Sequence, residues 1–351
     1  MCGPSGKKEK GLGVNMARKY NLACIQTAVE VIEDSSQKQA VISRNLERSL
    51  RIAEGAIVRD EARVIVFPEG WLQGHSYART RANWEAVCLQ VPGLETARMG
   101  EFARRHNVYL AGAAFERDPS WPEVWFTTGF IVGPSGKVEL RYRKLQEHNV
   151  EGLIPNASPA DVYSEYVRHY GEDSLFPVLD SPYGRLTVIV ENDVNFFELT
   201  RIFTFHGAEI FLHPTAEDNG PQFPSWDQAR RSRCYENLCY LASANYGQVT
   251  SSCHAAYATR GCSTIIDYSG NPVAQIEGPG ESLLVAPVDL QRLRYRRIEG
   301  RSNFPAQVKS ELFGKEFGKR VLMAKDTSPA TRETGEATIR RLQDKGIFAA
   351  P

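Results

Sequence analysis

No apolar run in this 351-residue chain approaches the roughly 18 residues of a membrane-spanning helix. An excess charge is missing too. The 42 lysines and arginines balance 42 aspartates and glutamates, so neither a nucleic acid nor an anionic membrane is the expected partner. Paired metal-ligand spacing is absent from the seven cysteines (Cys2, Cys24, Cys88, Cys234, Cys239, Cys253 and Cys262), and an odd number in a long chain reads as reduced thiols. The opening MCGPSGKKEKGLGVNMARK is positive but has no apolar signal segment, so residues 1–18 are expected to be a disordered leader and the compartment cytoplasmic. What is present is a 42% hydrophobic composition, enough to bury a sizeable core and to serve a small-molecule partner. No cofactor is called for.

The pattern along the chain alternates. Residues 20–29, YNLACIQTAV, read as a buried first strand, followed by a helix that Ser35 or Ser36 caps. ARVIVFPEGW is a short strand stopped by Pro68, LETARMGEFARRHN a helix, and VYLAGAAFERD a strand again. A hairpin comes next, turned at Pro134, Ser135 and Gly136, and GCSTIIDYSGNPVAQIEG repeats its plan about 130 residues later, which suggests two similar halves. The expected fold is α/β, with mixed sheets covered by helices. After Arg294 the sequence is charged and weakly periodic, as in an arm lying on a neighbouring subunit or a tail.

Three strands end in polar residues, where open α/β sheets gather ligands. They are Glu69 in VIVFPEGW, Lys144 in LRYRKLQEH and Glu191 in TVIVENDVNFFE. Each also has a plain reading as a solvated strand end. Their combination resembles the nitrilase superfamily of carbon-nitrogen hydrolases over about residues 21–297, with FPE supplying Glu69, YRK supplying Lys144, and FFELTRIFTFHGAEIFLHPTA setting the register of the third motif.

The resemblance implies a nitrilase-like α-β-β-α sandwich with two mixed sheets over residues 19–298, and a C-terminal arm over 299–351 at an oligomer interface. It also implies a cysteine thiolate attacking an amide or nitrile carbon, a glutamate base and an oxyanion-stabilising lysine. Register places Glu191 on that cysteine, with Asp193 on the family's acidic residue and Asn192 and Asn195 at positions that are often aromatic. A second family glutamate falls on Glu147 or Glu151, with Glu151 preferred. Cys253, beside His254, is the substitute thiol to test first.

Trp71, Tyr77, His148, Asn192, Asn195, His213, Thr215 and Trp226 flank these motifs and are candidates for binding substrate. His213 and Trp226 read equally well as a satisfied strand-end histidine and a helix-start staple. No histidine accompanies Glu69, Glu191 and Asp193 at ligand spacing, so no metal is expected. Two carboxylates on one ammonium would form an acid/base pair that needs no thiol. The readings are therefore a thiol-free enzyme acting at a C–N bond, a non-catalytic binding or assembly subunit, and an ordinary amidase or nitrilase using another cysteine. A homo-oligomer, at least a dimer, is expected; light scattering showing only a 39.3 kDa species at micromolar concentration would overturn this.

Overall fold

Alternation in KYNLACIQ sends Leu22 and Cys24 to one side of β1 (Lys19–Gln26) and Ala23 and Ile25 to the other, and both sides are buried. That double burial needs layers on both faces. The structure, a computed structural model, describes residues 19–76, 79–150, 156–253, 255–319 and 323–349. The 1–18 leader lies outside these residues, as do Tyr77, Glu151 and His254.

The first sheet joins β1 to β2 (Ala62–Glu69), β3 (Tyr109–Glu116), β4 (Phe126–Val132) and β5 (Val138–Arg143). The second contains β6 (Leu179–Ser181), β7 (Gly184–Val188), β8 (Ile210–Pro214), β9 (Tyr240–Ala244), β10 (Thr264–Ile266) and β11 (Pro272–Gln275). A last strand, β12 (Ser282–Asp289), returns to the open edge of β1. The two strand orders, β12-β1-β2-β3-β4-β5 and β6-β7-β8-β9-β10-β11, share one plan. An antiparallel edge strand is succeeded by three parallel strands and then an antiparallel hairpin. The hairpin that recurs in the sequence is the end of each half, and Gly136 and Gly270 turn the two hairpins with φ of 79° each.

Helices α1 (Lys38–Asp60) and α2 (Leu94–His106) cover the outer face of the first sheet, where Ile65, Leu110 and Phe130 meet Leu46, Met99 and Phe102. Helices α3 (Phe197–Phe205) and α4 (Phe223–Asn237) cover the second sheet, with Phe203 edge-on to Phe211. Between the sheets, Leu22, Val64, Val66 and Ile131 share one core with Val188, Ile210 and Leu212. This is the α-β-β-α sandwich.

Local details depart from the expected ones. The turn before α1 is capped by Asp34, whose carboxylate accepts from Ser36 N–H, rather than by a serine. Pro68 does not stop β2; the strand continues to Glu69 because its pairing with β3 becomes irregular between Val66 and Glu69, where the missing proline N–H leaves no gap. After β12, α5 (Leu290–Ile298) packs Leu290 and Leu293 into the core. The helix Ser310–Lys319 buries no residue, while residues 324–349 lie against the same chain and bury Leu342. Among the described residues, no helix is long and apolar enough to cross a membrane.

One close approach ties the first sheet to the segment after β7. A Cβ on Gly129 of β4 would stand 2.5 Å from Val188 and 3.0 Å from Val190. Gly129→Ala is expected to lower stability by about 1–3 kcal/mol through overpacking, measured by urea denaturation.

Candidate active site

The β7 strand runs through Ile189 and Val190 into a tight 3-10 turn, Glu191–Asn195, and Glu191 itself adopts φ +46°. A glutamate in the left-handed region is held there by its surroundings. His213, at the end of β8, places Nε2 2.9 Å from the Glu191 carbonyl and Nδ1 2.9 Å from Ser243 Oγ. A carbonyl only accepts, so Nε2 carries the proton and Nδ1 accepts from the serine hydroxyl. Burial pushes the His213 imidazole down to about 3, which fits this neutral form.

Asp193 fastens the same turn to the loop after β5. Its carboxylate accepts from Val190 N–H (2.9 Å), Tyr142 Oη–H (2.9 Å) and Gln146 N–H (3.0 Å). Tyr142 lies two residues before Lys144, so strand alternation turns both toward the second sheet. Lys144 N–H extends the hairpin ladder to Thr127 O at 2.9 Å. Glu69, from β2, is tied by its backbone to both sheets: its N–H donates to Thr215 O at 3.2 Å, and Tyr246 Oη–H donates to its carbonyl.

These anchors bring the three expected residues together. Lys144 Nζ lies 2.8 Å from Glu191 Oε2 and 3.6 Å from Glu69 Oε1, with all three residues buried. A third carboxylate, Glu147, reaches the same nitrogen at 3.5 Å. Glu151, the preferred second glutamate, lies outside the described residues, and Glu147 follows Lys144 by three positions. Glu191 Oε2 also accepts from Asn192 N–H at 2.7 Å, and Oε1 lies 2.9 Å from His148 Nε2.

The other candidates divide. His148 touches Glu191 and stacks on Trp226, with rings 6.5 Å apart and 18° from parallel, so both stand at the site. Asn192 and Asn195 stay beside the turn, Asn195 donating to Asn192 Oδ1 at 3.0 Å. Trp71 does not face the site. It is fully buried against Phe67 and Gly112 on the helix-covered face of the first sheet, because the turn after Glu69 carries it to the opposite side. Nor does the Thr215 side chain: its hydroxyl donates to Glu217 at 2.9 Å, within a buried network containing Arg230 and Arg260. That network and the Tyr142–Asp193 tie are not visible in the sequence, and only Tyr142 leaves a signal, its two-residue spacing from Lys144.

No described cysteine is bonded to Glu69, Lys144 or Glu191. Cys24, Cys88, Cys234 and Cys239 are buried, and burial pushes the Cys88 thiol up to about 12 and also raises those of Cys24 and Cys234, away from the reactive thiolate. Cys253 is exposed in its loop. Among the described residues no group of three or more His, Cys, Asp and Glu side chains is placed to hold a metal.

The electrostatics arise from crowding acids around one base. Burial alone would raise every carboxyl here and lower the lysine. For Lys144 the attraction of Glu191, Glu69 and Glu147 overcomes burial and holds the ammonium well above its ordinary value. For Glu191 burial is overcome by Lys144 and His148, and its carboxyl falls well below the usual range. Glu69 is left with burial and the nearby Glu191 charge, against a more distant Lys144 contact, and rises to about 8. Burial also raises Asp193 to about 7, and lifts Glu147 above its ordinary value despite Lys144. The site thus favours the ionised form of Glu191 beside the protonated form of Glu69. That is an acid/base pair.

These shifts act on stability in opposite senses. Glu69 keeps in the folded state a proton that the unfolded chain releases near its ordinary 4.5, so its contribution is full below that value and is lost as pH rises toward about 8. Glu191 contributes above its ordinary range and loses that contribution as pH falls. Glu69→Gln is therefore expected to flatten the decline of stability from about pH 5 to about pH 8, by up to about 1.4 kcal/mol per pH unit for its one proton. Urea midpoints across that range measure it, and an unchanged slope would contradict the assignment.

This arrangement has relatives. A profile of the carbon-nitrogen hydrolase family matches residues 21–297. The omega-amidase NIT2 of Bos taurus is 25% identical over 305 residues, covering 86% of this chain and 99% of its own. That of Xenopus tropicalis is 23% identical over 277 residues, covering 78% and 90%. Saccharomyces cerevisiae Nit3, a member of branch 10 of the nitrilase superfamily, shares the fold with a TM-score of 0.62 at 21% identity, over 82% of this chain and 98% of Nit3. A variant of the amidase from Nesterenkonia sp. AN1 shares it with a TM-score of 0.60 at 20% identity, over 84% and 96%, and shows covalent addition of the acetamide moiety of fluoroacetamide at its active-site cysteine. With 277 consecutive residues under the family profile, this chain belongs to the carbon-nitrogen hydrolase family.

Proposed function

We propose that this protein is an enzyme acting at the C–N bond of a small amide, nitrile or amino-carbonyl compound without a thiol, with Glu191 in the place of the family's nucleophilic cysteine. The observation that carries this reading is the meeting of Glu191 and Glu69 on one buried ammonium, at 2.8 and 3.6 Å, where Lys144 favours the ionised form of Glu191 and burial the protonated form of Glu69. The amide substrates named for the relatives supply the substrate class.

For an amide, the chemistry runs by general acid and base. The Glu191 carboxylate takes a proton from water as its oxygen bonds to the carbonyl carbon. Lys144 holds the oxyanion, its contacts at 3.5 and 3.6 Å to Glu147 and Glu69 being loose enough for a substrate oxygen to displace. As the C–N bond breaks, Glu69 gives its proton to the departing nitrogen, and the proton on Glu191 passes to Glu69 to reset the pair. Drawing the ammonium toward the substrate oxygen also loosens its hold on Glu191, which makes that carboxylate a better base.

One observation favours a second reading, a non-catalytic binding or assembly subunit. Glu191 Oε2 already accepts from both Lys144 Nζ and Asn192 N–H, so the two donors facing the turn are filled by the protein's own carboxylate. Incubation with a panel of amides, nitriles and amino-carbonyl compounds, followed by mass spectrometry, separates the two. Glu191→Gln is then expected to lower turnover at least ~100-fold while preserving the fold, the scale of losing a positioned acid/base group. Glu69→Gln and Lys144→Met are expected to be similarly damaging, and not additive with it. Full activity of Glu191→Gln on a confirmed substrate would make Glu191 structural. A gain of amidase activity by Glu191→Cys, from an inactive parent, would favour the second reading.

A further inference from the structure

Asn149 comes directly after His148 in the loop beyond Lys144, and the chain's own C-terminal segment grips it at two points. Gly335 N–H donates to the Asn149 carbonyl at 2.7 Å, and the Asn149 side-chain amide donates to the Glu333 carbonyl. The segment is moored again just before this grip. Arg332 pairs with Asp161 at 2.8 Å, with side chains only 10% and 4% exposed, and Asp326 accepts from Ser164 N–H and Oγ–H at 2.7 and 2.8 Å. Its helix, Gly335–Asp344, buries only Thr338 and Leu342. So small a core makes these moorings the main attachment.

One residue before Asn149, His148 Nε2 lies 2.9 Å from Glu191 Oε1. The His148 side chain is 44% exposed, against 7% for Glu191 and 3% for Lys144. Among the described residues bonded to Glu191, His148 is the one that faces solvent, and its stacking on Trp226 extends the cover.

We propose that residues 326–349 act as an intramolecular strap, and that Asn149 is the positioning residue through which the strap keeps His148 closed over Glu191 and restricts entry to the site. The inference rests on reading the Glu69, Lys144 and Glu191 cluster as the substrate site, but not on any catalytic step there. Asn149 and His148 share a peptide bond, so a shift of Asn149 by an ångström or two takes His148 Nε2 beyond hydrogen-bond range of Glu191. The strap therefore sets which molecules pass His148 and how easily.

The experiment uses the full chain carrying Glu191→Cys, in which the stack of His148 on Trp226 is the remaining cover and the introduced thiol reports access to the site through alkylation by iodoacetamide, quantified peptide by peptide by mass spectrometry. Exposed Cys253 is the internal reference. With the strap intact, the introduced thiol is expected to react at least ~10-fold more slowly than Cys253, as a covered thiol does. Two variants release the grip without dismantling the helix. Asn149→Ala removes the side-chain donor, and Gly335→Pro removes the N–H at the first helical position after Thr334, where proline is tolerated. Each is expected to raise alkylation of the introduced thiol at least ~10-fold relative to Cys253, with an unchanged Tm. Ile339→Ala, at an exposed position on the same helix, is expected to leave the ratio as it was. Equal rates in the parent and both variants, or a parallel rise at Cys253, would overturn the proposal. Either result leaves the catalytic reading standing, because alkylation requires no turnover.

Discussion

A buried ammonium stays charged only if anions stand beside it, and Lys144 satisfies this with three carboxylates at once. The requirement is asymmetric. One positive charge stabilises one carboxylate fully, and Glu191, at 2.8 Å, has that place. Glu69 and Glu147 are buried beside the same nitrogen without an equal share of its charge, so they are driven toward their neutral forms. Crowding thus separates the proton affinities of chemically identical side chains, which is the condition for one of them to give a proton while another takes one.

The architecture exists to make that crowding possible. Glu69 and Lys144 come from the first sheet, and Glu191 comes from the second. Neither sheet holds the cluster alone. The inter-sheet core brings Gly129 against Val188 and Val190, and Asp193 then bonds the turn of one sheet to the loop of the other through Val190, Tyr142 and Gln146. His213 and Ser243 hold the Glu191 carbonyl from behind, which keeps this residue in its left-handed backbone conformation. Strain in the turn is thus offset by hydrogen bonds from both sheets.

The position of the Glu191 carboxylate has a further consequence. Lys144 and the Asn192 N–H within the turn converge on one of its oxygens, the kind of donor pair that would hold a developing oxyanion. Under the proposed function, the side chain is both the group in the nucleophile's place and the occupant of the donors that would serve a substrate. The proposed chemistry depends on how readily Lys144 moves from that carboxylate to a ligand. His148, the partner of the other oxygen, is the more exposed of that pair.

Much of this was legible in the chain. The alternation of strands and helices, the recurring hairpin and the three strand-end residues come from periodicities of two and 3.6 residues and from turn chemistry, which are local properties. Register counted back from FFELTRIFTFHGAEIFLHPTA was enough to set Glu191 at the sharp turn. Local pattern failed where side-chain direction depends on a distant partner. Trp71 is two residues beyond Glu69 yet turns into the opposite face, and Thr215 turns to Glu217. The folding of residues 324–349 onto Asn149 and Asp161 rests on contacts across more than 160 positions, which no periodicity records. The sequence by itself determined which residues end the strands and that a carboxylate occupies the turn. Only the tertiary structure decided which carboxylates share Lys144, because proton affinity depends on distance and burial, and both are set when the two sheets close on each other.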